Sequence, residues 1–423
     1  MRELFAQASL EDVLAARDRR QEIQMRLLSL WNRPVVCLTL NIPGPEKRTG
    51  LTEFLFERTV VTLRAHLGPP IGAEYSWETA GSAGFFVWDQ SAAVLKNLCV
   101  ELETACPEGR LLDLDVIAPN GEKLSRESPR KCLLCENAAS VCARSRAHGL
   151  PALQGETNRL LASAAAEEVA AWAVEALLEE ANLTPKPGLV DRNTCGAHQD
   201  MDLPLLEKSA RSLRSWFRTA FCLGARARDC MPALQEKGRQ AEACMLQGTG
   251  GVNTHKGALY LLGLTTAALG ACMARGEDLF AAVARLAKTG APASVETHGG
   301  VVRAALGATG ARGEAEAGIP HGKLAWQRLR AGESGSHVLM RLILDCDDTN
   351  LLYRGGPAGL AYARQWAQKI LSIPPGQVMA ALAEMDRDMV ARNLSPGGCA
   401  DLLAVGMFLL KSERWWNHRA SVH

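Results

Sequence analysis

The chain has 423 residues and a mass of 45.5 kDa, more than one ordinary domain of about 100–200 residues holds, so two domains are expected. Hydrophobic residues make up 47% and charged residues 22%, proportions of a globular protein and not of a disordered one. With 47 Lys and Arg against 46 Asp and Glu the net charge is +1, which excludes a general basic field for nucleic acid or a membrane surface.

In chain order, the first thirty residues mix charges of both signs and lack an apolar core segment, as expected of a cytoplasmic chain. Thirteen cysteines spread along the whole length fit the same reducing compartment. Val35–Asn41 reads as a buried strand, Leu51–Leu67 as a helix, and Glu74–Thr79 and Gly84–Asp89 as two strands. Ala92–Glu103 reads as a helix and Leu111–Ala118 as a fourth strand. This βαββαβ order predicts an α+β domain over residues 1–155, a small sheet with helices on one face, ferredoxin-like in its simplest form. His148–Asn158, with Pro, Gly and polar residues, reads as a short linker.

After it strand signals nearly vanish, and residues 156–423 read as an all-α domain. Helices are expected at Leu160–Ala181, Leu205–Ala225, Pro232–Gln247, Ala258–Ala274, Asp278–Thr289, Ser336–Cys346, Gly359–Ser372, Gly376–Arg392 and Ala400–Lys411. The longest uncharged run, Gly257 to Ala274, reaches the lower edge of a membrane span, but its glycines and threonines predict a buried core helix. No membrane span and no nucleic-acid partner are expected.

Polar residues gather in five connections of the helical half. LTPKPGLVDRNTCGAHQDMD holds Lys186 between two prolines, then Asp191, Asn193, His198, Asp200 and Asp202. GTGGVNTHKG sets Gly250, Gly251 and Asn253 before His255 and Lys256, and glycine-rich turns at a helix start offer backbone N–H groups to anions. GARGEAEAGIPHG carries Arg312 and Glu314. DCDDTNLLYRGG crowds Asp345, Asp347 and Asp348, with Asp345 and Asp348 expected on one helix face, and Arg354 beyond. In SPGGCAD, Ser395 as N-cap and Pro396 open a helix past Gly397 and Gly398. Crowded carboxylates gain from a cation, and oxygen ligands suit Mg²⁺ completed by substrate phosphates. Lys186, Lys256, Arg312 and Arg354 complement phosphate charge. With no GxxxxGK[ST] and no GxGxxG, a Mg–nucleotide site here is neither a P-loop nor a Rossmann fingerprint. The bland reading is five ordinary polar loops.

These five motifs, in this order over roughly residues 160–415, resemble triphosphoribosyl-dephospho-coenzyme A synthase. The resemblance implies that the 2′-hydroxyl of 3′-dephospho-coenzyme A attacks the ribose C1′ of ATP and that adenine leaves. Displacement at an anomeric carbon passes through an oxocarbenium-like state that nearby carboxylates stabilise. The expected roles are Mg²⁺ ligation for Asp345, Asp347 and Asp348, and phosphate binding for Lys186, Lys256 and Arg312. Glu314, His255 and Asp200 are the acid/base candidates. Asn193, Gly250, Gly251, Asn253, Arg354, Gly397 and Gly398 complete the expected substrate contacts.

In the N-terminal half, NIPGPEK puts Lys47 on a rigid loop after the first strand. GRLLDLD places Asp113 and Asp115 on one face of a strand, which is costly unless they meet a metal or a basic partner. Arg126, Arg130 and Lys131 follow. Cys132, Cys135, Cys142 and His148 offer the ligand types of a Cys₃His zinc site; a redox thiol and plain packing are the alternatives. NIPGPEK, GRLLDLDVIAPNGEKLSR and RKCLLCENAASVCARSRAH resemble apo-citrate lyase phosphoribosyl-dephospho-coenzyme A transferase, the holo-acyl-carrier-protein synthase of citrate lyase. That resemblance implies transfer of the prosthetic group to a serine of the acyl carrier (gamma) subunit with release of pyrophosphate. Asp113 and Asp115 are then expected as catalytic Mg²⁺ ligands, with Lys47, Arg110 and Arg126 on phosphate. Rival readings are a Mg²⁺-dependent N-ribosyl hydrolase of the ADP-ribosyl type, a carrier-binding adaptor without turnover, and a synthase serving malonate decarboxylase.

Overall fold

A computed structural model describes residues 4–290, 302, 307–308 and 310–417. The chain separates into two compact units, Met1–Ala165 with Met273–Gly276, and Ala166–Cys272 with Glu277–His423.

The first unit holds one four-stranded antiparallel sheet, of strands β1 (Val35–Leu40), β2 (Gly72–Glu78), β3 (Gly81–Val87) and β4 (Leu112–Ile117), in the order β2-β3-β1-β4. Val36 pairs with Phe86 on one side and Val116 on the other, so β1 is central, and its first four residues are apolar and buried. Helix α1 (Leu10–Trp31) was not foreseen, because its composition is highly charged. Its Ser9 and Asp12 close a capping box, and Ile23, Leu27 and Leu28 pack on Val35, Cys37, Phe85 and Ile117. Helix α2 (Gly50–Leu67) lies against the opposite face, where Phe56 meets Trp77 edge-on at 5.5 Å and Glu53 accepts the Ser82 hydroxyl. Helices therefore cover both faces, not one. Helix α3 (Ala92–Thr104) packs along β4.

Residues 148–158 do not form a linker. They belong largely to the helix Leu150–Asn182, and the division between the units falls inside that helix. Gly155 sits in it with open space around its Cα, so a loop-like composition did not prevent helix formation.

Among the described residues of the second unit, every regular element is a helix. The run expected at Leu205–Ala225 is two helices, Leu203–Ser212 and Arg214–Arg226, the first capped by Asp202. Short helices at Gly310–Glu316 and Pro320–Arg330 replace an expected connection. The helix Thr349–Ser372 begins ten residues earlier than its apolar pattern, because Asp348 caps it, and it kinks at Gly356 before Pro357. The apolar helix Lys256–Arg275 is long enough to cross a membrane, but 89% of its most apolar window is buried inside the protein. It crosses Arg214–Arg226 closely, glycine against backbone on both sides: a Cβ on Gly270 would lie 2.4 Å from the Phe221 carbonyl oxygen, and one on Gly224 of the partner helix would lie 1.9 Å from that of Ala267.

Candidate functional site

In the first unit, alternation along β4 buries Leu112, Leu114 and Val116 and turns Asp113 and Asp115 to the other face, beside Thr39 and Cys37 of β1. Asp113 lies in a cavity of about 200 Å³ with Lys47, Thr39, Arg20, Glu53 and Ser82. Desolvation lowers the Lys47 pKa, and its Nζ donates to the Ile42 carbonyl. Asp115, on the same face but not among the residues lining that cavity, pairs with Lys123 at 2.6 Å. Arg130 bridges Asp113, at 3.0 Å, and the buried Glu103, which also takes Arg126 at 2.9 Å and the Leu114 N–H at 2.8 Å. Burial raises the Glu103 pKa against these partners. Arg110 sits in the 3₁₀ turn Pro107–Leu111, where its charge acts on Glu136. The ligand atoms of Cys132, Cys135, Cys142 and His148 lie within 4.8 Å of one another.

In the second unit, Lys186 is 1% exposed and its Nζ contacts the buried Glu180, at 2.7 Å to Oε1 and 3.0 Å to the backbone carbonyl. Its backbone N–H donates to Asp191, which also holds the N–H groups of Asn193 and Thr194. The Asn193 side chain is exposed, as is Asp200, whose carboxylate stands 4.0 Å from His198. His198 lies 2.9 Å from the Ser395 hydroxyl and 3.3 Å from the Arg354 guanidinium. Desolvation and then the Arg354 charge lower its pKa, so the neutral ring accepts from Arg354 and donates to Ser395. Ser395 is thus spent on His198, and the following helix starts at Gly397 with Pro396 as an N-cap that supplies no side-chain bond.

His255 is buried. Its Nδ1 meets the Ser209 hydroxyl at 3.0 Å and its Nε2 has no hydrogen-bond partner. Desolvation, reinforced by Lys186, pushes its pKa down to about 4. Gly250 and Gly251 adopt φ of 67° and 92°, but the Gly251 N–H closes the preceding helix on Leu246 O at 2.7 Å, so the turn is a helix stop. Asn253 accepts the Lys256 N–H, and the Lys256 ammonium pairs with Glu242 at 2.6 Å.

Asp345 ends one helix and Asp348 caps the next, so the two do not share a helix face. Asp348 is 1% exposed and accepts from three backbone N–H groups, of Asn350, Leu351 and Cys399. The last contact needs a bare residue at 398, since a Cβ on Gly398 would lie 3.0 Å from Asp348 Oδ2; one on Gly397 would lie 2.6 Å from the Asn350 amide. Asp345 and Asp347 are exposed, and Asp347 pairs with Arg364 at 2.8 Å. Glu314 is buried and holds His321 by its ring Nδ1 at 2.8 Å and its N–H at 2.7 Å. That bond, with the charges of Glu314, Asp345 and Asp347, raises the His321 pKa. Arg312 pairs with Glu316 at 2.6 Å and donates to Gly290 O. Asp401 accepts the Ala258 N–H; desolvation, with the charges of Glu180 and Asp348, lifts its carboxyl well above the usual range. A Cβ on Gly257 would lie 2.0 Å from Asp401 Oδ2.

The first, second, fourth and fifth motifs thus converge with the end of helix Leu150–Asn182. Glu180, Lys186, His255, Asp348 and Asp401 act on one another there, and the charges of Asp345 and Asp347 reach His321 beside Glu314. Sequence reasoning singled out neither Glu180 nor His321. Glu180 looked like one more acid on an Ala/Glu helix, while Pro320 directly before His321 was a readable helix-start signal.

Comparison with known proteins assigns both units. The family "ATP:dephospho-CoA triphosphoribosyl transferase" matches residues 166–420, and the family "Apo-citrate lyase phosphoribosyl-dephospho-CoA transferase" matches residues 8–164. "Protein CitXG" of Haemophilus influenzae is 32% identical over 455 aligned positions, covering 95% of this chain and 96% of that one. A "Probable 2-(5''-triphosphoribosyl)-3'-dephosphocoenzyme-A synthase" of Pseudomonas putida is 42% identical, covering 58% of this chain and 95% of its own length. The chain belongs to the CitXG family and is a bifunctional transferase, joining triphosphoribosyl-dephospho-CoA synthase and apo-citrate lyase transferase in the making of the citrate lyase prosthetic group.

Proposed function

We propose that the synthase reaction takes place beside Glu180, Lys186, Asp348 and Asp401, with His321 as its base. The 2′-oxygen of dephospho-CoA bonds to the ribose C1′ of ATP, the C1′–N9 bond breaks, and adenine leaves with a proton. The observation that carries this reading is the His321–Glu314 pair: a buried carboxylate fixes Nδ1 and leaves Nε2 to take the hydroxyl proton. Asp401, whose carboxyl desolvation pushes toward its protonated form, supplies a proton to adenine. Glu180 and Asp348 oppose the positive charge that develops at C1′. Of the acid/base candidates in the sequence, Glu314 acts through His321. The neutral, enclosed His255 positions the interior, and the exposed Asp200 is the alternative base.

Mg²⁺ fits the exposed Asp345 and Asp347, since it is usually held by one or two carboxylates plus substrate phosphates. Asp348, its oxygens occupied by amide donors, fixes the loop that carries them. Bound there, the ion would neutralise the triphosphate. Lys256 and Arg312 then turn to phosphate, exchanging ion pairs with Glu242 and Glu316 that are worth little where solvent reaches them. Lys186 supplies positive charge from inside, and Arg354 sets His198. Asn193, Asn253 and the glycines at 250, 251, 397 and 398 shape the loops around the substrate.

In the first unit, the strand order and the two β–α–β connections split by an inserted strand support a ferredoxin-like fold. The cavity of Lys47 and Asp113 takes the diphosphate end of the donor. The serine oxygen of the citrate lyase gamma subunit bonds to the phosphorus nearest the ribose, and pyrophosphate departs. Asp113 and Asp115 are the Mg²⁺ ligands on that face, and Lys47, Arg110 and Arg126 are the phosphate contacts. Among the described residues the thirteen cysteines form no disulfide, which suits a cytoplasmic setting.

The test is free adenine, followed by chromatography after incubation with ATP and Mg²⁺, with and without dephospho-CoA. Release that depends on dephospho-CoA and falls about 10²-fold or more in His321→Asn supports the assignment. A variant at full rate overturns the role of His321, and adenine released without the acceptor overturns the transfer reading.

A further inference from the structure

The stretch between Ile117 and Thr157 has almost no core of its own. Of its side chains only Cys132 and Cys142 are buried; the rest are half-buried or exposed. A segment of that length cannot hold a fixed shape on two thiols, and small modules in this position use a disulfide or a metal. Cys132, Cys135 and Cys142 form no disulfide, and their geometry favours the metal. Cys135 Sγ stands 3.5 Å from Cys142 Sγ, far beyond a bonded distance of about 2.05 Å. The same sulfur stands 3.4 Å from His148 Nε2, and all four ligand atoms lie within 4.8 Å of one another. Zinc–sulfur bonds of about 2.3 Å in a tetrahedron set sulfurs about 3.8 Å apart, and a zinc–nitrogen bond of about 2.0–2.1 Å brings nitrogen slightly nearer. The two measured edges, 3.5 Å and 3.4 Å, lie within a few tenths of an ångström of that tetrahedron.

The backbone is arranged for the same purpose. Cys132 N–H bonds to Asn137 O at 2.8 Å and Ala139 N–H to Arg130 O at 2.7 Å, making a tight hairpin with the Cys132–Cys135 turn at its tip. In that turn the N–H groups of Leu134 and Cys135 point at the Cys132 sulfur, the donors a thiolate ligand needs. Cys142 comes from the short helix Ala139–Ser145, and Arg146 in a left-handed conformation (φ 50°) turns the chain back to deliver His148.

We propose that Cys132, Cys135, Cys142 and His148 bind one zinc ion, and that this ion holds the segment in which Arg126 and Arg130 reach Glu103 and Asp113. The role is structural, with four protein ligands and no open position, so the ion takes no part in the transfer itself. It acts on the site by fixing Arg130 against Asp113.

The test uses the full-length chain, loaded with Zn²⁺, dialysed and analysed by elemental mass spectrometry, and separately titrated with Co²⁺ after zinc removal. We expect one zinc per chain in the wild type and in Cys244→Ser, an exposed cysteine outside the group, and loss of that zinc in Cys142→Ser. Co²⁺ should give the intense thiolate charge-transfer and visible bands of a tetrahedral site in the wild type, which keeps the test valid if Cys142→Ser fails to fold. Chelation should speed tryptic cleavage within residues 118–149, and added zinc should restore resistance. A wild type that binds no Zn²⁺ or Co²⁺ overturns the proposal, as does zinc retained in full by a folded Cys142→Ser.

Discussion

At the scale of single residues, two histidines of the synthase unit respond to pH in opposite senses. His321 has a folded pKa above its unfolded value. Its pairing with Glu314 therefore stabilises fully below about pH 6.5, and that contribution is lost as pH rises through the folded value. As a base it must be neutral, so adenine release should climb with pH through the same range. Glu314→Gln should move that rise to lower pH and cut the rate, read from pH–rate profiles of both proteins. His255 has a folded pKa of about 4, depressed by burial. The unfolded chain takes up its proton first, so stability falls as pH drops below about 6.5 and continues to fall toward 4. Between pH 6.5 and 5 this amounts to about 2 kcal/mol. Urea unfolding of wild type against His255→Gln over that range should show the extra acid sensitivity in the wild type alone.

At the scale of elements, the apolar pattern made most strands and long helices readable to within a few residues. Where it failed, local chemistry had overridden composition. Helix α1 was hidden by its charge, although Ser9 and Asp12 spelled a cap and Ile23 and Leu27 spelled a seam. The glycines and proline of 148–158 suggested a break, yet Pro151 falls in the first turn of a helix, where it is tolerated. The candidate site was legible as motifs but not as partnerships. Nothing in the spacing said that Asp348 would be consumed by three amide groups, or that Lys186 would be sealed against Glu180, because those contacts depend on how the chain folds back on itself. Asp113 and Asp115 did share one face of β4, but the cavity takes only the first. The glycine crossings are a further element-scale consequence. Gly224→Ala must push apart a pair of backbones that meet with no room for a Cβ. It should cost about 1–3 kcal/mol or more in thermal or urea unfolding, whereas Gly376→Ala, in open space, should cost little.

At the scale of the molecule, the two transferase reactions belong to separate compact units, and each should fail alone. Asp113→Asn should stop loading of the apo carrier while dephospho-CoA-dependent adenine release continues at the wild-type rate. Glu314→Gln should slow adenine release yet leave carrier loading normal when the triphosphoribosyl precursor is supplied. Mass spectrometry of the carrier and chromatography of adenine read the two outcomes in one reaction. Loss of both activities in either variant would contradict the separation.

The helix Lys256–Arg275 carries a cost that appears only when the fold is lost. Twenty residues of membrane-like hydropathy are harmless while enclosed, but an opened chain presents them as a sticky stretch available to any other opened chain. Association of that kind outruns refolding, so heating should end in precipitate and the apparent midpoint should rise with the heating rate. For this enzyme, durability is then a lifetime set by how fast the helical unit opens, and the glycine-tight crossings at 224 and 270 act as its latch.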